Sequence, residues 1–86
     1  MKSVKKEDIV KILEYALADS EIIVSELDFS IGLDTQGVDS LDRMNIIFQI
    51  QDDYGVQISE ESLEADEWLT IDKIVESLNK LLKQQG

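Results

Sequence analysis

The chain has 86 residues, 43 % of them apolar, which is enough for one domain with a modest core and too few for a second. Nineteen acids against eight bases leave a formal net charge of −11, so nucleic acid and anionic membranes are poor partners and basic protein surfaces are favoured ones. Cys and His are absent, which removes disulfides, thiolate nucleophiles, the usual zinc ligand sets and the commonest general base near neutral pH.

The basic N-terminus runs into Glu7 and Asp8, where a signal peptide needs an apolar stretch, and no segment approaches membrane-spanning length. A cytoplasmic location is expected. Ile9, Ile12, Leu13, Ala16 and Leu17 then recur at three-and-four spacing and predict a first helix over residues 4–18. From Asp19 to Val38 the apolar residues Ile22, Ile23, Val24, Leu27, Phe29, Ile31 and Leu33 follow no helical period, and parts alternate as a strand does. A lone strand has no partner elsewhere in the sequence, so these residues are read as anchors that pin a long loop across a bundle. A connection of about twenty residues is uncommon in a compact domain and stands as an anomaly.

Leu41, Met44, Ile46, Ile47, Phe48, Ile50 and Tyr54 predict a second helix whose apolar band is wide enough to meet several neighbours. Asp39 and Asp42 suit its positive start, and Gly55 suits its end. Ser59 caps a short third helix ahead of Trp68. Thr70 caps a last helix carrying Ile71, Ile74, Val75, Leu78, Leu81 and Leu82 on one face. The chain therefore reads as all-α, a four-helix bundle in a single domain over residues 1–86, with a long first loop and a short third helix.

Chemistry concentrates in Gly37-Val38-Asp39-Ser40-Leu41-Asp42, where the long loop meets the second helix. By local rules Asp39 or Ser40 is a helix cap and Asp42 completes a box-like arrangement. A serine at a helix start also presents its hydroxyl outward, beside unpaired N–H groups that favour a phosphate ester. Both readings stand on the residues alone.

That run, with Met44, Ile46, Ile47, Phe48, Ile50, Tyr54 and then Val56-Gln57-Ile58, resembles the second helix and exit loop of acyl carrier proteins, and the resemblance extends over nearly the whole chain. It implies a 4′-phosphopantetheine arm, taken from coenzyme A by a phosphopantetheinyl transferase and attached to Ser40. Acyl groups would ride on its thiol as thioesters, in fatty-acid, polyketide-type or specialised lipid synthesis. It further implies that Asp39, Leu41, Asp42, Met44 and Asp52 meet acyl-transferring and condensing enzymes with basic docking patches. Met44, Ile47, Phe48, Ile58, Ile71 and Val75 would line a pocket for the acyl chain, and the carrier would act as a monomer. The chain departs from the common pattern at Asp34-Thr35-Gln36, at Asn45, Gln49 and Gln51, at Arg43 beside the serine, and at Trp68.

Rival classes are an aminoacyl or peptidyl carrier and an unmodified acidic interaction module. A calcium loop starting at Asp34 would put Val38, which has no side-chain oxygen, at its fifth position and Asp39 where the glycine belongs. No nucleophile–base pair and no glycine-rich phosphate loop is present, so an enzyme in its own right is not expected, and no metal site either.

Overall fold

Glu7 and Asp8 occupy the first turn of helix α1, Lys6–Ala16, where the unpaired N–H groups favour negative charge. The Asp8 carboxylate also accepts from Lys5 N–H at 3.0 Å. In the computed structural model, which describes residues 3–85, this helix starts two residues later than its period suggests. Val4 is the reason: it is buried in an extended lead-in, and the Asn79 side chain holds both of its backbone groups. Val4 N–H donates to Asn79 Oδ1 at 2.7 Å, and Asn79 Nδ2 donates to the Val4 carbonyl at 3.1 Å.

Among the described residues the remaining helices are α2, Ser40–Tyr54; α3, Glu60–Glu64; and α4, Ile71–Gln85. No strand is present among them. Helix α1 packs against both α2 and α4, and Ile9, Leu13, Ile46, Ile50, Ile71, Ile74 and Leu78 are fully enclosed. Each such side chain contributes about 1.5–3 kcal/mol by leaving water. Gly55 ends α2 with φ of 64° and donates its N–H to the Gln51 carbonyl at 2.9 Å, a left-handed position that suits glycine. Thr70 Oγ1 accepts from Lys73 N–H at 2.9 Å and caps α4.

The long connection resolves into two single 3-10 turns, Val24–Glu26 and Leu33–Gln36, joined by irregular chain. Two backbone bonds tie it across the bundle: Leu33 N–H donates to the Leu69 carbonyl at 2.8 Å, and Asp72 N–H donates to the Phe29 carbonyl at 3.0 Å. Gln36 knits the loop internally, accepting from Asp28 N–H at 2.7 Å and donating to the carbonyls of Asp28 and Ile31, each at 3.0 Å. Val24, Leu27 and Leu33 are buried, and Ile22 and Phe29 are partly so. Ile23 and Ile31 are exposed, against the expectation that all seven apolar residues act as anchors. Hydrogen bonds hold much of what apolar packing was expected to hold.

Lys6 Nζ lies 3.2 Å from Asp72 Oδ1 and 5.5 Å from the centroid of the Phe29 ring, closing the same corner from outside. Solvent screens that pair, and it adds little.

Replacing Asn79 by Ala leaves two groups of the buried Val4 backbone unpaired and is expected to lower unfolding free energy by about 1–3 kcal/mol, read by urea denaturation. In the loop, the backbone N–H of Ser30 and then its hydroxyl donate to Asp28 Oδ1 at 2.9 and 2.8 Å and hold the Asp28 carboxyl below its ordinary value of 3.8. Such a group stabilises the fold fully above pH 3.8, and the contribution is lost as pH falls through the lowered folded-state value. Carboxyl-carbon NMR titration of Ser30→Ala should move the Asp28 midpoint part of the way back up, because the backbone bond remains.

Candidate functional site

Gly37 turns the chain into the site with φ of 97°. A Cβ there would meet nothing within 4 Å, so backbone conformation and not space is what favours glycine. Val38 follows, fully buried, its N–H donating to the Leu33 carbonyl at 3.1 Å. The next residue, Asp39, is extended, and its Oδ1 accepts from Asp42 N–H at 2.8 Å. Asp39 is therefore the cap. The reciprocal bond, donated by Asp39 N–H to the Asp42 carboxylate, is not formed among the described residues, so the box-like arrangement is half made.

With Asp39 as cap, Ser40 becomes the first residue of α2, exposed, its hydroxyl in no hydrogen bond with the described residues. It stands at the edge of a cavity of about 170 Å³. Ser40, Arg43, Met44, Ile46 and Ile47 of α2 form one wall, Leu33 of the long loop closes one side, and Leu63 and Trp68 form the opposite wall. Trp68 is buried, and its Nε1–H donates to Ser62 Oγ at 3.0 Å, which fixes the indole against α3.

Of the six residues expected in an acyl pocket, Met44 and Ile47 line this cavity. Ile71 is fully enclosed in the core, while Ile58 and Val75 are half-buried outside the lining. Phe48 also lies outside the lining. It is 57 % exposed and borders a separate surface depression with Tyr15, Ala16, Asn45, Gln49 and Asp52. Ser40, Arg43, Met44 and Ile47 fall at i, i+3, i+4 and i+7, and Phe48 lies about 100° beyond Ile47 around the helix, on its outward side. The wide apolar band of α2 is thus half core and half surface: Ile46, Ile47 and Ile50 are buried, whereas Leu41, Met44 and Phe48 are exposed.

Among the residues expected to meet partners, Asp39, Leu41 and Met44 are exposed near Ser40 and Asp42 is half-buried one turn on. Asp52 is exposed but twelve residues from Ser40, about 18 Å along the helix axis. Leu33, Arg43, Ile46, Leu63 and Trp68 belong to the cavity without having been expected there. Arg43 and Trp68 carried a signal, each a departure from the common pattern of the carriers that the sequence resembles.

The family model described as the phosphopantetheine attachment site matches residues 10–78, from within α1 to within α4. The chain belongs to this family. No solved structure matches it. As a phosphopantetheine-carrier protein it takes its cofactor from outside, and carriers of this kind work with a phosphopantetheinyl transferase and with acyl-handling enzymes. The residues present fit the group: a serine hydroxyl free of internal bonds, at the mouth of an apolar cavity, next to one cationic side chain. The thiol of phosphopantetheine supplies thioester chemistry that a chain without Cys lacks. No described helix of the carrier is long and apolar enough to cross a membrane, and no described group of acidic residues is arranged to hold a metal ion.

Separate stability measurements on Asp39→Ala and Ser40→Ala distinguish cap from free hydroxyl. Asp39→Ala should cost about 0.5–2 kcal/mol, and Ser40→Ala should stay within about 0.5 kcal/mol of the parent.

Proposed function

We propose that this chain is an acyl carrier protein, a single carrier domain over residues 1–86, whose 4′-phosphopantetheine is attached to Ser40 and bears acyl intermediates as thioesters. One observation carries the choice of residue. The matched span holds seven serines, and five of them commit their hydroxyls: Ser20 to the Leu17 carbonyl, Ser30 to Asp28, Ser59 to Ser62, Ser62 to the Ser59 carbonyl and Ser77 to the Glu67 carbonyl. Ser25 and Ser40 are uncommitted among the described residues, and of all seven Ser40 alone borders the 170 Å³ cavity.

On this reading Ser40 Oγ, deprotonated on a separate transferase, forms a bond to the phosphorus that carries the pantetheine. The bridge of the coenzyme A pyrophosphate breaks, and adenosine 3′,5′-bisphosphate leaves. The cavity favours acyl over aminoacyl or peptidyl cargo, since Leu33, Ile46, Ile47, Leu63 and Trp68 offer an apolar lining and no carboxylate to meet an ammonium group. Fatty-acid, polyketide-type and specialised lipid synthesis all supply such cargo. Asp39, Leu41, Asp42 and Met44 would form the surface first met by basic patches of the enzymes that load and unload it.

Incubation with coenzyme A and a broad-specificity phosphopantetheinyl transferase, followed by intact-mass measurement, should show the gain of one phosphopantetheine group, and Ser40→Ala should show none. An unchanged parent mass, under conditions that modify a control carrier, would sink the proposal and leave the unmodified interaction module in its place.

A further inference from the structure

Arg43 is the one Arg of the sequence and the only basic residue between Lys11 and Lys73. It is half-buried on the wall of the cavity that Ser40 borders. Among the described residues it makes no ion pair; Asp39, one turn back, has its carboxylate engaged with Asp42 N–H. As the one cation of this wall, its guanidinium is left without an ion-pair partner among the described residues.

Ser40 and Arg43 stand at i and i+3 on α2, a spacing at which side chains are neighbours, with Cβ atoms about 5–6 Å apart. Modification of Ser40 would bring a phosphodiester anion to this spot, beside the negative Asp39 and Asp42. A guanidinium matches phosphate oxygens with two parallel donors, which a lysine in its place would not. Resting on attachment at Ser40, we infer that Arg43 is the phosphate ligand of the site: its guanidinium pairs with the phosphodiester on Ser40, offsets the repulsion from Asp39 and Asp42, and tethers the root of the arm beside the cavity. Arg43 is thus a positioning residue, not a catalytic one.

The test uses the parent chain, R43K and R43A, each modified with coenzyme A and verified by mass. Phosphorus NMR is recorded from low to high salt, and thermal midpoints are compared before and after modification. The parent phosphorus resonance should move as salt screens the contact, that of R43A should hold one position, and that of R43K should move less than the parent's. Modification should lower the midpoint of R43A by about 2–5 °C more than that of the parent. Phosphorus resonances and midpoint changes that are the same in all three forms would overturn the role of Arg43 while leaving attachment intact. A parent chain that gains no mass overturns the attachment reading and this inference with it.

Discussion

Between α1 and α2 the chain crosses the bundle without regular structure, and each backbone group it buries on the way needs a partner. The bonds from Leu33 N–H to Leu69 and from Asp72 N–H to Phe29 meet that demand with groups at the entry to α4, which an ordinary helix start would leave to solvent. The position of the site follows from them. Leu33 is fixed to Leu69, its carbonyl takes the N–H of Val38, Gly37 turns between them, and Asp39 then caps α2. Ser40 is placed by this relay of backbone bonds and by the Asp39 cap, its own hydroxyl taking no part among the described residues.

The same relay joins anchoring to cavity shape. Leu33 is at once the tied residue of the loop and a wall of the space beside Ser40. Asp39 likewise serves the fold by its cap and the surface by its charge. Residues with two such duties are hard to exchange singly, because a substitution that tunes one also disturbs the other.

The helices were readable where their ends carry chemistry: Asp39 and Gly55 bound α2, Ser59 opens α3, and Thr70 opens α4. The start of α1 lies later than residue 4 because the Val4 backbone is paired with Asn79, seventy-five residues away. Periodicity carries no information about such a partner. Ser40 could be singled out because Gly37 through Asp42 is a local feature. The cavity could not be read in the same way, since it is assembled from Leu33, one stripe of α2, and Leu63 with Trp68, three segments whose meeting no local spacing encodes. Phe48 shows the cost of extending an apolar run by type alone: one position past the stripe, the same chemistry faces water.

The two long walls of the cavity differ in stiffness. On one side α2 is seated in the core through Ile46, Ile47 and Ile50. Across from it α3 has five residues, none of them fully buried, with Leu63 half-covered and Ser62 bonded to the Trp68 indole. Elements with so little enclosed surface sit at the low end of a protein's spectrum of opening free energies. Of the two sides, the one built on α3 therefore yields at the lower cost, while α2 is held by its buried isoleucines. Each methylene that such a space encloses would return about 0.8 kcal/mol toward the cost of widening it.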